Sequence, residues 1–322
     1  MNTELSEAAV EFGDTVRRAL EAAGGDTLVQ RCERLPHERE AAIVPLLAEL
    51  GLWDLDVRSS ADELEAAAVA CRAAGHWAVP YPVHARLARP LDHESDGLFV
   101  VDRRRVAAPL QGLGGTWTVV DLDGRRSTVV AEGGGGIGGG VGGGGDPRYT
   151  GFVLELTATP LDQHGSADLA LALTLPCWTL LGMLDRALLV TREYVMARRQ
   201  FGQTLSSFQS VQFQLTDAEL ERVGLEELAK YALWSIATGR SDAVADALAL
   251  RLAALEAGER VMRVCHQLHG AIGFCDETVV SWLSRHSQPL RRLPFGLSDT
   301  RQALVDAIGA HGLSGLFDEL AP

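Results

Sequence analysis

Apolar residues recur at helical spacing over most of the chain, and one interval of short β-branched runs separates two helical stretches. In "AAIVPLLAELGLWDL", Ile43, Leu46, Leu47 and Leu50 share a helical face, and Gly51 follows as a stop. "ADELEAAAVACRAAGHW" predicts a second helix ended by Gly75, after which Pro80, Pro82 and Pro90 punctuate an irregular connection. From Gly97 the runs "LFVV", "WTVVDLDG", "STVVAE" and "GFVLELTA" read as strands, and Asp123-Gly124 predicts a hairpin between two of them. After Asp168 three stripes return to helical spacing. They are Leu181, Leu184, Leu188 and Val195; Leu225, Leu228, Ala232 and Ile236; and Leu248, Leu252, Leu255 and Met262. Breaks at Gly202, Gly239 and Gly273 predict an antiparallel helix bundle.

The pattern therefore gives a mainly α chain with a small antiparallel β domain. Its predicted division is an N-terminal α-helical domain over 1–95, a middle β domain over 96–165 and a C-terminal bundle over 166–322. Inside the β domain, "GGGGIGGGVGGGG" from Gly133 to Gly145 invites comparison with phosphate-cradling loops. Such a loop needs a helix N-terminus behind it, whereas Asp146-Pro147 and another strand follow here, so the tract reads as a flexible loop.

Composition narrows the class. A chain of 322 residues with 47% hydrophobic and 22% charged residues is an ordinary globular protein of two or three domains. The net charge of −14 argues against nucleic acid or an anionic membrane as the main partner. Five cysteines without a C-x-x-C pair predict reduced thiols and a cytoplasmic location. No apolar run long enough to span a membrane escapes a charge or a breaker.

The candidate chemistry lies in the bundle. "ARRQFGQTLSSFQSVQFQL" places Arg198 and Arg199 at the end of a helical pattern and breaks it with Phe201-Gly202. A guanidinium offers fixed N–H donors to a diphosphate, and the amides opening a helix after Gly202 would be an anion site. Taken singly, Arg198 is also favoured late in a helix by the macrodipole, and Phe201 reads as a core residue. His266 and His269 stand at i and i+3 without an acidic or cysteine partner at metal-ligand spacing, so no metal is expected.

Two stretches together resemble the acyl-CoA dehydrogenase family. "YVMARRQFGQTLSSFQSVQFQL" is similar to its Tyr, R-x-Q-F-G and F-Q, and "CHQLHGAIGFCDE" to its Q-x-H-G-G-x-G-F. "LAELGLWDLDV" and "CRAAGHWAVPYPV" are a weaker third likeness. The resemblance implies an α-helical domain, a β domain and a four-helix bundle, with FAD shared across a subunit interface. It implies Arg198 as the pyrophosphate ligand, Gln200 and Phe201 lining the cofactor, and Phe208 and Gln209 touching its adenosine half. Gln267, Leu268, His269, Gly270 and Ala271 would wrap the same dinucleotide.

The family reaction removes an α-proton from an acyl-CoA thioester with a glutamate while a β-hydride leaves for the flavin. In "RRLPFGLSDTRQ", Phe295 stands at the usual glutamate position and Leu297 at the flavin-touching threonine. At the alternative base position on the first bundle helix stands Ala172, so no catalytic residue is assigned to this chain. The family's T-E-P-x-A-G-S-D segment is missing between Pro90 and Arg148.

The resemblance is thus to the shorter, base-less subunit of bacterial two-chain acyl-CoA dehydrogenases, which are α2β2 heterotetramers acting on steroid side-chain CoA thioesters. It implies a full-length homologue that carries the catalytic glutamate and most of the acyl-CoA contacts, with an electron acceptor such as electron-transfer flavoprotein. The alternatives are a self-sufficient flavoprotein with a relocated base and a structural or regulatory homologue without flavin function.

Overall fold

The computed structural model describes residues 3–133 and 151–312, so the glycine tract beyond Gly133 lies outside the described residues. Five helices come first: α1 (Glu7–Ala22), α2 (Asp26–Arg34), α3 (Arg39–Glu49), α4 (Ala61–His76) and α5 (Val83–Leu87). Ser6 and Ser60 cap α1 and α4, accepting from Ala9 N and Glu63 N, the bond a serine at an N-cap supplies. Gly51 ends the α3 region in a left-handed conformation, as expected.

Gly75 differs from the expected helix stop. It lies inside α4, where a Cβ would stand 1.9 Å from the carbonyl oxygen of Thr179. A Cβ on Gly182 would likewise stand 1.8 Å from the Arg72 carbonyl oxygen. The glycines are present because the backbones of α4 and the long helix α6 (Ser166–Ala197) touch where they cross.

The strands are β1 (Leu98–Val100), β2 (Ala107–Ala108), β3 (Gly115–Val120), β4 (Arg125–Ala131), β5 (Leu154–Glu155) and β6 (Thr159–His164). Four form a sheet in the order β1-β3-β4-β6, and β2 pairs with β5 in a separate ribbon. The Asp123-Gly124 hairpin joins β3 to β4, with Gly124 at φ 79°. The expected purely antiparallel domain is corrected at one edge, because β1 runs parallel to β3 with Leu98 opposite Thr118. The chain between them is long enough for a crossover, and β2 takes up part of it.

After α6 come the short strands β7 (Arg199–Gln200) and β8 (Gln203–Thr204), then α7 (Gln209–Ala237), α8 (Ala243–His269), α9 (Val279–His286), α10 (Gln288–Arg292) and α11 (Leu297–His311). Helices α6, α7 and α11 all pack on α8 as a four-helix bundle. The expected break at Gly273 falls earlier: α8 ends at His269, and Gly270 turns the chain at φ 66°. Helix α6 is long and apolar enough to cross a membrane, yet 89% of its most apolar window is buried inside the fold, which makes it the core helix of the bundle.

Asp168 joins the three layers at the start of α6. It accepts from Arg58 Nη2, ahead of α4, at 2.7 Å and from Arg126 on β4, which also binds Asp92. Removing one partner of such a buried cluster leaves an uncompensated charge, so it fixes how the layers meet.

Candidate functional site

One end of the bundle gathers most of the sequence-predicted residues. Helix α6 stops at Ala197, and Arg198 turns into extended backbone at φ −71° and ψ 128°. Phe201 and Gly202 are both left-handed, at φ 53° and 83°, which makes a tight reversal that pairs Arg199 with Thr204 and Gln200 with Gln203. The Leu205 amide closes the loop by donating to the Arg198 carbonyl at 2.9 Å. The amides after Gly202 thus belong to a hairpin rather than to a helix, which corrects the expected anion site. The helix N-terminus comes later, at Gln209, where no side chain caps α7.

Phe201 is also corrected as a core residue. It is 90% exposed, and a bulky side chain rarely adopts left-handed backbone. Among the described residues its one ring contact is with Phe208, edge to face, with centroids 6.3 Å apart. The hairpin therefore presents an aromatic ring outward at some conformational cost.

The end of α8 lies against this corner. Val195, Val211 and Leu268 form a small core with Tyr194, Leu205 and Phe208 packed on it, tying the end of α6 to the start of α7 and the end of α8. Tyr194 stacks on His269 with centroids 4.4 Å apart, and His269 Nδ1 donates to the Cys265 carbonyl at 2.9 Å. Burial pushes the His269 pKa down, which favours the neutral ring. Leu268 and His269 turn their side chains inward, so only their backbone faces the corner, while Gln267, Gly270 and Ala271 are exposed.

The donor set fits a dinucleotide carrying a diphosphate. The side chains of Arg198, Arg199, Gln200, Gln209 and Gln267 are exposed, and among the described residues none has a hydrogen-bond or ion-pair partner. A Cβ on Gly270 would meet nothing within 4 Å, so the space over this backbone is open. Phe274 is 70% exposed and is held from behind by a parallel stack on His266 at 4.4 Å. Sequence reasoning left Phe274 and Tyr194 without roles, although both lie in the stretches that carry the resemblance.

Of the two positions at which a base was expected, Ala172 lines one small cavity and Phe295 does not. The cavity's volume is about 50 Å³, and its lining includes Ala172, Pro176, Arg251, Leu293, Pro294 and His84. Among the described residues no carboxylate lines it. Phe295 follows directly and is buried, its carbonyl accepting from Arg251 Nη2 at 2.9 Å. Sequence reasoning missed Arg251, whose signal was a lone charge within the apolar run "LALRLAAL".

Three helical, β and bundle layers in this order have the acyl-CoA dehydrogenase fold, and residues 173–305 match the family described as acyl-CoA dehydrogenase, C-terminal domain. The match falls on the bundle and leaves the helical and β layers before it unmatched. Curated relatives include acyl-CoA dehydrogenase FadE28 of Mycobacterium tuberculosis, 35% identical over 29% of this chain and 27% of its own length. The acyl-[acyl-carrier-protein] dehydrogenase MbtN of Mycobacterium bovis is 35% identical over 38% of this chain and 31% of its own. The matched region thus spans about a third or less of these relatives.

Similar solved structures cover the whole fold. The Tcur3481–Tcur3483 steroid ACAD variant superposes with a TM-score of 0.76 at 20% identity, over 96% of this chain and 99% of its own. The ChsE4–ChsE5 complex of M. tuberculosis does so at 0.71 and 20% identity, over 98% and 100%.

Proposed function

We propose that this chain is a non-catalytic subunit of a heteromeric acyl-CoA dehydrogenase, completing an FAD site for a full-length homologue that carries the base. One contrast carries the reading: the cavity beside Ala172 is small and has no carboxylate among the described residues, and Phe295 is buried, while the cofactor corner stands open with unpartnered donors. A steroid side-chain CoA thioester is the proposed substrate class, supported by the sequence resemblance and by the two-chain steroid ACAD among the similar structures.

In this reading Arg198 and Arg199 bind the diphosphate oxygens, with a guanidinium fork suited to paired contacts. Gln200, Gln209 and Gln267 orient the remaining polar groups by their amides. Phe201, set outward by its hairpin, covers the cofactor and excludes water. Tyr194 and His269 hold the α8 end in register without moving a proton, since the His269 ring is neutral and its Nδ1 proton is engaged. Bound FAD supplies the acceptor for a hydride from the acyl β-carbon, and the partner's glutamate takes the α-proton.

The test is to express the chain alone and together with its full-length homologue, and to assay CoA-thioester dehydrogenation with an artificial electron acceptor. Turnover is expected from the pair and not from the lone chain. Lone-chain turnover would select the self-sufficient enzyme instead.

A further inference from the structure

Arg251 carries a charge that no acid among the described residues balances. It lies within α8 at 3% exposure and donates to three backbone carbonyls, Leu290 at 3.3 Å, Leu293 at 2.6 Å and Phe295 at 2.9 Å. No aspartate or glutamate pairs with it among the described residues, and its Nε is buried without an acceptor. Burial pushes its pKa down, and the one ionisable group acting on it is the Cys177 thiol. Burial drives that thiol up to about 12, so it stays protonated and offers no negative charge.

A guanidinium remains charged in a protein, and a buried cation is costly unless something of opposite charge faces it. Three carbonyl dipoles and the Phe295 ring, 5.6 Å away, offset part of that cost. Arg39 shows the contrast. It is equally buried and also lacks a carboxylate, but all three of its nitrogens bind carbonyls, those of Pro80, Pro109 and Gln111. Arg251 instead leaves one nitrogen, Nε, without an acceptor.

The place for a counter-charge is beside it. Arg251 lines the cavity of about 50 Å³ with His84, and the other lining residues are apolar. The His84 ring has no hydrogen-bond partner among the described residues, and burial lowers its pKa to about 4, leaving a neutral imidazole with an N–H to give. We propose that this cavity is a binding site for a small monovalent anion, a halide or a one-carbon carboxylate, held between Arg251 and His84. A water-sized guest displaces about 30 Å³ of liquid, so the space admits an ion of this size. A second negative charge would have no partner there. Its residues are separate from the cofactor corner but include Ala172, one of the two base positions, and melting without flavin or substrate reads the anion site alone.

The full chain is melted in sodium chloride, bromide, formate and gluconate at equal ionic strength, gluconate being too large to enter. The expected result is a saturable rise in melting temperature with the small anions relative to gluconate. The order of formate against the halides tells which class is preferred. The rise should vanish in Arg251→Met and persist in Arg251→Lys. Should Arg251→Met fail to fold, crystals of the unaltered chain grown in bromide decide, with an anomalous peak expected against Arg251 and His84. Equal melting in all four salts, or bromide crystals with only water in this cavity, would overturn the proposal.

Discussion

Arg251 Nη2 donates to the Phe295 carbonyl at 2.9 Å while its guanidinium faces the Phe295 ring at 5.6 Å. Position 295 is therefore bound into the bundle by a buried cation. A carboxylate placed there would meet a guanidinium, which favours the ionised form and lowers its pKa, the opposite of the tuning a general base needs. Phe295→Glu in the lone chain should thus give no dehydrogenation above background. A rate approaching that of the pair, measured with the same artificial acceptor, would show that only the carboxylate was lacking.

Arg198→Ala should weaken flavin binding in the assembled complex. A charge-assisted hydrogen bond contributes about 1.5–3 kcal/mol, so the dissociation constant should rise by roughly ten- to a hundredfold. Flavin fluorescence during titration of the complex measures it, and an unchanged constant removes Arg198 from the site.

Gly75→Ala should destabilise the chain without touching the cofactor corner. The added methyl has the Thr179 carbonyl oxygen 1.9 Å away, so α4 and α6 must separate, and overpacking of this kind costs about 1–3 kcal/mol or more. Denaturant unfolding reads the loss. A variant as stable as the parent would mean that the helices do not cross at this distance.

Stability should fall with acid in two stages. Burial first, then Arg186, Arg17 and Arg72, lowers the His76 pKa to about 4, and burial alone lowers His84 to about 4. Each ring is neutral when folded and takes a proton more readily when unfolded, so its contribution is complete above about pH 6.5 and fades from there to about 4. Glu226 titrates below that. Burial would raise its pKa, but Arg72 and Arg222 overcome this and bring it to about 2. Its contribution is present above the unfolded value of about 4.5 and lost as pH falls toward 2. Glu226→Gln should therefore flatten the lower stage only, as followed by thermal melts across the pH range.

Much of the architecture was legible because period and punctuation agreed. The stripes through Leu181, Leu184 and Val195 are buried, and the Asp123-Gly124 hairpin forms where its dipeptide predicts. Gly75 misled because a glycine that permits close helix contact has the same letter as one that ends a helix. The parallel pairing of β1 depends on where a crossover leads, which no local pattern encodes. At the site, motif spacing located the corner but not its shape: Phe-Gly marks a break, whereas a reversal with two left-handed residues and an outward ring emerges only in three dimensions. Arg251 was visible as an oddity in an apolar run, but its lack of a counter-ion is a property of the packed core.

Counting flavin in the purified assembly tests the central claim most directly. The chain and its full-length homologue are co-purified, FAD is released and measured by absorbance, and each polypeptide is quantified separately. One FAD per pair of unlike chains is the predicted result if, as proposed, this chain completes a site without forming one of its own. Two FAD per pair, or a full flavin complement on this chain purified by itself, would contradict it.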